Sequence, residues 1–526
     1  MSRSTLAGKV GIASLIMMAS VFLSKVIGLV REMIIAWAAG AGRSVDAYQV
    51  AFVLPEILNH VVASGFLSVT FIPIFTRHMT QGREEDGWRI FSLIITVFGS
   101  GLVILIAVAC AFTPSFLGVL APGMTDPAVF ADAVFMTRII LPAQFFFFMG
   151  GMLMAVQFSK GKFTVPAMAP LIYNLGIILG GIWLSPKTGM AGFSWGVLAG
   201  AFIGNFLLQW WGASRCGMRF QLQWRVSDPE LFHYLRLTLP LMVGLTMSFS
   251  TEIFLKFFGS YLPAGSISGL NYGLRVMLMC VAFFGQAVGM ASFPFLARLV
   301  AENRMDEVNR LLNGTLRSIA LVIPISVLIM VLRREFVTIL FHRGRFDIAA
   351  VDLTANVLIY LMIGAFAFAA QTVVVRGFYA VQNTLLPAIL GSLAVLLTLP
   401  VYFAGMKWMG AEGIAIAVSV SAMVQVLVLF VVWNRKGENH DAGSVYRFCG
   451  QMIVVSLPIG FFLELFRRYL TALFPGDGML KAIAICAVSG GLFLSVFVAI
   501  GAIFKIPEIV MALKKIFFRL GIPVKG

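Results

Sequence analysis

Basic side chains interrupt several long apolar stretches of this sequence. Lys25, Arg31 and Arg275 lie within such stretches, where a charge costs about 2.5–3.5 kcal/mol on insertion scales and tends to face a polar cavity or a partner. Lys25 and Arg31 are six residues apart, about 240° around a straight helix, so a bend at Gly28 would be needed to bring them together. No nearby acidic residue obviously cancels all three charges. Their combined chemistry is that of a site for an anion.

Other charged residues within the apolar stretches have simpler interpretations. Arg236 and Arg138 lie close enough to predicted helix ends to extend toward water. Glu252 and Lys256 are spaced for an i,i+4 ion pair. His60 is a candidate cavity residue, although a lone histidine is more often simply hydrogen-bonded within the fold. The acidic residues of these stretches are Glu32, Asp46, Glu56 and Glu252.

The composition identifies the environment in which these charges must be held. Of 526 residues, 60% are hydrophobic and 12% are charged, whereas soluble proteins have about 25% charged residues. The net charge of +16 comes from Lys and Arg that lie mostly in short segments between apolar runs, which argues against nucleic acid as the partner. The five cysteines lack metal-ligand spacing. We therefore predict an all-α polytopic membrane protein with no metal, cofactor or nucleic-acid partner.

About fourteen apolar runs approach or exceed the roughly 20 residues that a membrane-spanning helix needs. Lys and Arg are concentrated on one side of these runs, which predicts that both termini are cytoplasmic. Segment 333–345 is the exception, because it is basic on the predicted external side. The tail 506–526 mixes apolar and basic residues, as an interfacial helix does. The runs lie near 10–38, 45–75, 88–112, 134–158, 164–185, 191–211, 232–260, 267–297, 312–332, 350–376, 385–405, 410–433, 447–466 and 481–504.

The sequence also repeats itself with an offset of 221 residues. A duplication of this kind predicts two six-helix lobes of the same orientation. The lobes would be residues 1–220 and 221–440, and helices 13 and 14 would follow in 441–505. The residues separated by this offset are Pro73 and Pro294, within similar Phe- and Arg-containing segments, Gly123 and Gly344, and Pro166 and Pro387.

Motifs of ATP-driven or catalytic proteins are not found in the sequence. There is no G-x-x-x-x-G-K-[ST] loop, and the acidic residues form no D-x-D cluster. We therefore predict a transporter that is not an enzyme and is driven by an ion gradient, by membrane potential or by downstream consumption. A cation-coupled drug antiporter would prefer acidic cavity residues, so the basic excess within the spans disfavours it. A non-transporting membrane scaffold, whose buried charges only pair internally, is the third alternative.

Several motifs resemble one known family. They include Ser24-Lys-Val-Ile-Gly-Leu-Val-Arg-Glu32, Asp46-Ala-Tyr48, Phe71-Ile-Pro73, Leu340-Phe-His-Arg-Gly-Arg-Phe346 and Gly377-Phe-Tyr-Ala380. In these motifs the chain resembles the MurJ/MviN lipid II flippases of the MOP exporter superfamily. The resemblance extends over nearly the whole chain.

The resemblance implies a bacterial inner-membrane flippase. Its two lobes would surround a cationic cavity for the pyrophosphate and the sugar-peptide head of the lipid-linked substrate, and helices 13 and 14 would form a groove for the polyprenyl tail. Membrane lipids and the cell-wall synthesis machinery are the other implied partners. The implied substrate-binding residues are Lys25, Arg31, Asp46, Asn59, His60 and Arg275.

This sequence departs from the family at several of these positions. Lys25 stands where the family usually has Arg, and a lysine lacks the bidentate fork of a guanidinium. Asn59 and His60 occupy positions where two arginines are common, Ser64-Gly65 stands where the family commonly has Glu-Gly, and Leu274 replaces an expected acidic residue. These departures leave open another polyprenyl-pyrophosphate-linked glycan as the substrate.

Overall fold

The protein is helical throughout the residues that its computed structural model describes, which are 3–60, 66–225, 227–282, 285, 287–474 and 478–503. No strand occurs in these residues. The predicted interfacial tail 506–526 lies outside them. The helices are α1 Arg3–Ala39, α2 Arg43–Ala51, α3 Val53–Leu58, α4 Phe66–Thr80, α5 Glu84–Ala111, α6 Thr113–Leu120, α7 Pro127–Ile140, α8 Ala143–Ser159, α9 Thr164–Thr188, α10 Ala191–Gly200, the π-helical segment Ala201–Leu207, α11 Leu208–Ser214, α12 Pro229–Gly259, α13 Ser266–Val281, α14 Ala287–Ala301, α15 Met305–Ala320, α16 Val322–Val331, α17 Arg333–Phe341, α18 Ile348–Ile363, α19 Ala365–Ala380, α20 Leu385–Lys436, α21 Ala442–Leu473 and α22 Met479–Ile503.

The predicted all-α membrane fold is confirmed. Within the described residues, eight helices are long and apolar enough to cross a membrane, or nine if α18 and α19, which meet at a 44° bend, form one span. Each of the fourteen expected runs falls on helical segments in the described residues. α20 covers two expected runs, 385–405 and 410–433, which are separated at Gly410, where the backbone leaves the helical conformation with φ 60°.

The duplication is visible in the helix boundaries. α4 ends at Thr80 and α14 ends at Ala301, 221 residues later. The starts of α7 and α18, and of α9 and α20, differ by the same number. Pro73 and Pro294 both lie inside their helices, α4 and α14. The repeat predicted from the spacing of prolines and glycines is therefore a repeat of helices.

The chain forms two compact units. Unit 1 comprises residues 1–271 together with 343–347, and unit 2 comprises 272–342 and 348–526. α12 lies in unit 1 because it packs against α3, α4, α5 and α6. Unit 1 thus extends beyond residue 220. α21 and α22, the predicted helices 13 and 14, belong to unit 2.

Close helix packing in unit 1 holds the helices that carry the candidate site. α9 and α10 approach through glycines: a Cβ on Gly196 would lie 2.6 Å from the Gly176 carbonyl oxygen, and a Cβ on Gly180 would lie 2.5 Å from the Gly196 Cα. Small residues permit this approach, which gives membrane helices their van der Waals contact. α9 also packs along α1, where the Ser20 hydroxyl donates to the Ala167 carbonyl. The helix that carries Arg31 therefore lies against a closely packed neighbour.

Candidate functional site

Arg31 is held between its own helix, α1, and the adjacent α9. Its Nη1 donates to Oδ1 of Asn174 at 3.1 Å, and its Nη2 donates to Oε1 of Glu32 at 2.6 Å. Asn174 is itself fixed, because its Nδ2 donates to the Pro170 carbonyl at 2.9 Å and to the Ser24 hydroxyl at 3.3 Å. Side chains from two helices thus set the orientation of the guanidinium.

The ion pair with Glu32 changes the electrostatics that the sequence suggested. Glu32 is nearly buried, with 4% of its side chain exposed, while 20% of the Arg31 side chain remains accessible. Glu32 thus pairs with one of the three cations that the sequence analysis identified. However, the two contacts use only two of the five N–H donors of a guanidinium. Arg31 is therefore a neutralised but incompletely coordinated cation that can still donate to an oxyanion.

Lys25 lies on a different face of α1. The helix is continuous from Arg3 to Ala39 and is not broken at Gly28, so the six-residue spacing keeps Lys25 and Arg31 about 240° apart. The side chain of Lys25 is exposed. A bend at Gly28 that would bring the two cations together stays a prediction.

Asp46 is buried at the N-terminus of α13. Its Oδ2 accepts from the Gly265 N–H at 2.6 Å and its Oδ1 accepts from the Ser268 N–H at 2.7 Å. Only 5% of Asp46 is exposed. A carboxylate at this position satisfies otherwise unpaired N–H groups and complements the positive end of the helix dipole. This geometry is that of a helix cap from another part of the chain.

Asn59 and His60 lie at the end of α3. Asn59 follows the last residue of that helix, and Nδ1 of His60 lies 2.7 Å from the Glu56 carbonyl oxygen. Since a carbonyl only accepts, Nδ1 carries the hydrogen and donates. Both side chains are partly exposed. Residues 61–65, which include the Ser64-Gly65 departure from the family pattern, lie outside the described residues.

A buried cross-helix ion pair was missed by sequence reasoning. Nζ of Lys256, on α12, lies 3.0 Å from Oε2 of Glu56, on α3, and 4.0 Å from Oε2 of Glu252. The Lys256 side chain is 3% exposed. The i,i+4 pair inferred from the sequence is therefore the longer of two contacts. Only the packing of α12 on α3 could identify the shorter one, because the two residues are 200 positions apart.

The remaining basic residues of the apolar stretches are Arg138, Arg236 and Arg275. Arg138 is exposed and its Nε donates to the Cys110 carbonyl at 2.9 Å, near the negative C-terminal end of α5. Arg236 is exposed on α12. Arg275 lies partly buried on α13 in unit 2, beside the buried Leu274. Within the described residues, no group of three or more His, Cys, Asp or Glu side chains has metal-binding geometry.

The protein has a helical membrane fold with a repeat of helices and with paired charges inside its spans. Solved structures share this fold. The chain resembles a lipid II flippase MurJ in an inward closed conformation, with a TM-score of 0.74 and 22% identity, covering 92% of this chain and 98% of that one. It also resembles an inward-facing multidrug MATE transporter of the MOP superfamily, with a TM-score of 0.65 and 14% identity over 79% and 94% of the two chains. At these identities the similarity shows the fold.

The family is shown by sequence. The profile of the family described as lipid II flippase MurJ matches residues 35–482, and the chain belongs to that family. A probable lipid II flippase MurJ of Vibrio cholerae serotype O1 is 27% identical over 81% of this chain and 83% of its own length. The lipid II flippase MurJ of Burkholderia cenocepacia is 26% identical over 83% and 86%.

Proposed function

We propose that this protein is a lipid II flippase of the bacterial inner membrane. It moves the polyprenyl-pyrophosphate-linked peptidoglycan precursor from the cytoplasmic to the periplasmic leaflet by alternating access, with both of its own termini in the cytoplasm. The observation that carries the proposal is the match of the flippase family profile over residues 35–482. The multi-pass helical fold supports it.

Arg31 is the proposed primary contact for the diphosphate. Its fork is oriented by Asn174 and Glu32 and retains donors for a phosphate oxygen. Arg275 is proposed as a second guanidinium ligand and Lys25 as a point charge. Asn59 and His60 are proposed as hydrogen-bonding contacts to the headgroup, because both are partly exposed and neutral side chains at positions where the family commonly has arginines.

Glu32 has a specific part in this proposal. A lone guanidinium buried in a membrane is costly, and the ion pair with Glu32 avoids that cost while the site is empty. An arriving diphosphate carries more negative charge than one carboxylate and competes for the same donors. Binding therefore exchanges one partner of Arg31 for another, which favours reversible loading and release.

Asp46 takes a structural role in the proposal. Both of its oxygens already accept backbone N–H groups, so it positions α13 rather than contacting the substrate. Proteins of cell-wall synthesis are proposed as partners because they make and consume lipid II.

The antiporter and scaffold alternatives are not favoured. The family profile is that of lipid II flippases, and the likeness to MATE transporters at 14% identity reflects the fold. A different polyprenyl-pyrophosphate glycan would use the same diphosphate contacts, so identification of bound lipid decides between the two substrates.

The test is replacement of a depleted lipid II flippase in a living bacterium, with mass spectrometry of lipids that co-purify with the protein. The wild-type chain should restore growth and retain lipid II. Arg31→Ala and Arg275→Ala should reach the membrane but fail to restore growth, whereas the exposed Arg138→Ala should restore it. Failure of the wild type, with another diphosphate lipid retained, would refute lipid II as the substrate. Full restoration by both cavity variants would refute their role.

A further inference from the structure

Unit 2 contains a polar pocket that the transport site does not use. It lies where α17 and the start of α18 meet the end of α21 and the start of α22. Its polar lining includes Arg334, Glu335, His342, Arg467 and Lys481. The distribution of basic residues along the chain predicts that this end of the helices lies on the external side of the membrane.

Ion pairs around the pocket explain why a basic segment is tolerated there. Arg467 donates to Oε1 of Glu335 at 3.0 Å and to Oε1 of Glu464 at 2.8 Å. Arg334 lies 3.0 Å from Oδ1 of Asp352. Two arginines of the segment 333–345, which departs from the positive-inside pattern, thus lie beside acidic residues of unit 2: Arg334 beside Asp352, and Arg333 at 3.9 Å from Glu464. These pairs also hold the pocket walls in place.

One carboxylate oxygen in the pocket is left without a partner. Oε2 of Glu335 is buried and has no hydrogen bond among the described residues, and 7% of the side chain is exposed. A buried oxygen of a charged group that lacks a donor is costly. The pocket therefore presents an acceptor for a positively charged donor beside the cationic side chains of Lys481 and Arg334.

A ligand that satisfies this lining must carry both signs of charge. A phosphate alone would contact Lys481 and Arg334 but repel the free oxygen of Glu335. A metal cation or a simple amine would satisfy Glu335 and be repelled by the arginines and the lysine. A phosphate joined to a primary ammonium by a short linker fits both halves, because the ammonium supplies N–H donors that a quaternary amine lacks.

The surroundings of the pocket are those of a lipid headgroup site. Large apolar side chains next to it face outward, with Leu480 81%, Tyr469 63% and Leu473 57% exposed. Beneath it, buried Leu332, Leu470 and Ile485 belong to one apolar cluster. A headgroup bound here would leave its acyl chains against the outward apolar side chains of α21 and α22.

We propose that this pocket binds the headgroup of an ethanolamine phospholipid, with the ammonium on Glu335 and the phosphate on Lys481 and Arg334. The site is separate from the contacts proposed for lipid II. Its occupancy would tie α17, α21 and α22 together at the membrane surface.

The experiment uses native mass spectrometry of the full chain in micelles with equal amounts of phosphatidylethanolamine, phosphatidylcholine and phosphatidylglycerol. Wild-type protein should retain the ethanolamine lipid at least about threefold over each of the others. Glu335→Gln should abolish the preference over phosphatidylcholine, and Lys481→Gln should lower retention of phosphatidylethanolamine. Lys407→Gln and Glu412→Gln, which change the same residue types outside the pocket, should behave as wild type.

A folding check of each variant and a soluble probe complete the test. Because Glu335 also pairs with Arg467, each variant is first checked for a monodisperse peak and for a melting temperature above that of the assay. Soluble glycerophosphoethanolamine serves as a chain-free probe. Three results would overturn the proposal. The wild type could show no preference for the ethanolamine lipid, or Glu335→Gln could show the same preference as wild type. The protein could also retain the chain-free probe tightly without retaining the lipid.

Discussion

Replacement of Asp46 separates a structural role from a substrate-binding role. The carboxylate accepts two short, charge-assisted hydrogen bonds, of 2.6 and 2.7 Å, from backbone N–H groups at the start of α13. Hydrogen bonds to charged groups contribute about 1.5–3 kcal/mol each, and unpaired buried donors add to the loss. We therefore expect Asp46→Asn, which keeps one acceptor oxygen, to lower the free energy of unfolding by about 1.5–3 kcal/mol. Asp46→Ala should lower it by about 3–5 kcal/mol, because it removes both acceptors.

The assay combines unfolding in mixed micelles with binding of a lipid diphosphate to the folded fraction. If Asp46 caps α13, wild type should be the most stable protein, Asp46→Asn should be less stable and Asp46→Ala should be the least stable. The dissociation constant of the folded protein for the lipid diphosphate should change by no more than about twofold. Asp132→Asn is the matched control, because Asp132 is exposed on α7 and surface substitutions usually change stability by less than about 0.5 kcal/mol. If Asp46→Asn were as stable as wild type but lost ligand affinity, the capping interpretation would be refuted.

Three further predictions concern buried contacts. Glu56→Gln should lower the free energy of unfolding of unit 1 by about 2–4 kcal/mol, because it leaves the Lys256 ammonium with only the longer contact. The double variant with Lys256→Met should recover at least half of that loss. If the two substitutions changed the free energy of unfolding additively, the pairing would be contradicted. Gly196→Ala places a Cβ 2.6 Å from the Gly176 carbonyl oxygen and should lower the free energy of unfolding by more than about 2 kcal/mol. Gly101 has open space around it, so Gly101→Ala should leave the free energy of unfolding unchanged or raise it by up to about 1 kcal/mol. Glu32→Gln should strengthen lipid-diphosphate binding several-fold in calorimetry by removing the competitor for Arg31, and weaker binding would argue against the exchange of partners.

Much of the fold follows from sequence because its signals are local. Apolar runs of membrane-spanning length predict helices in a medium where every backbone group must be satisfied within the chain. The offset of Pro73 and Pro294 also predicts the helix repeat, since both prolines lie inside equivalent helices. What remained hidden was the 44° bend between α18 and α19 at Gly364, which lies inside the single expected run 350–376. A glycine in an apolar run does not by itself reveal such a break.

The candidate site could be predicted only in part, because several of its contacts join residues that are far apart in the sequence. Sequence identifies Arg31 as an unusual charge in a membrane helix, but neighbouring residues in a helix point about 100° apart, so its pairing with Glu32 was not expected. Asn174, 143 residues away, becomes a partner only through the packing of α9 on α1. Asp46 and the Lys256–Glu56 pair likewise depend on contacts across more than 190 residues. Roles that rest on long-range packing cannot be read from the charge pattern alone.

The most direct test of the account is the rate of lipid II translocation in proteoliposomes by Arg31→Gln compared with Arg138→Gln. Both changes remove one guanidinium from a membrane-spanning helix, but Arg138 is exposed and donates to a backbone carbonyl. Losing a charged hydrogen bond of about 1.5–3 kcal/mol predicts at least about a tenfold slower rate for Arg31→Gln and less than a twofold change for Arg138→Gln. Equal, undiminished rates for the two variants, at matched folded protein, would contradict a diphosphate contact at Arg31.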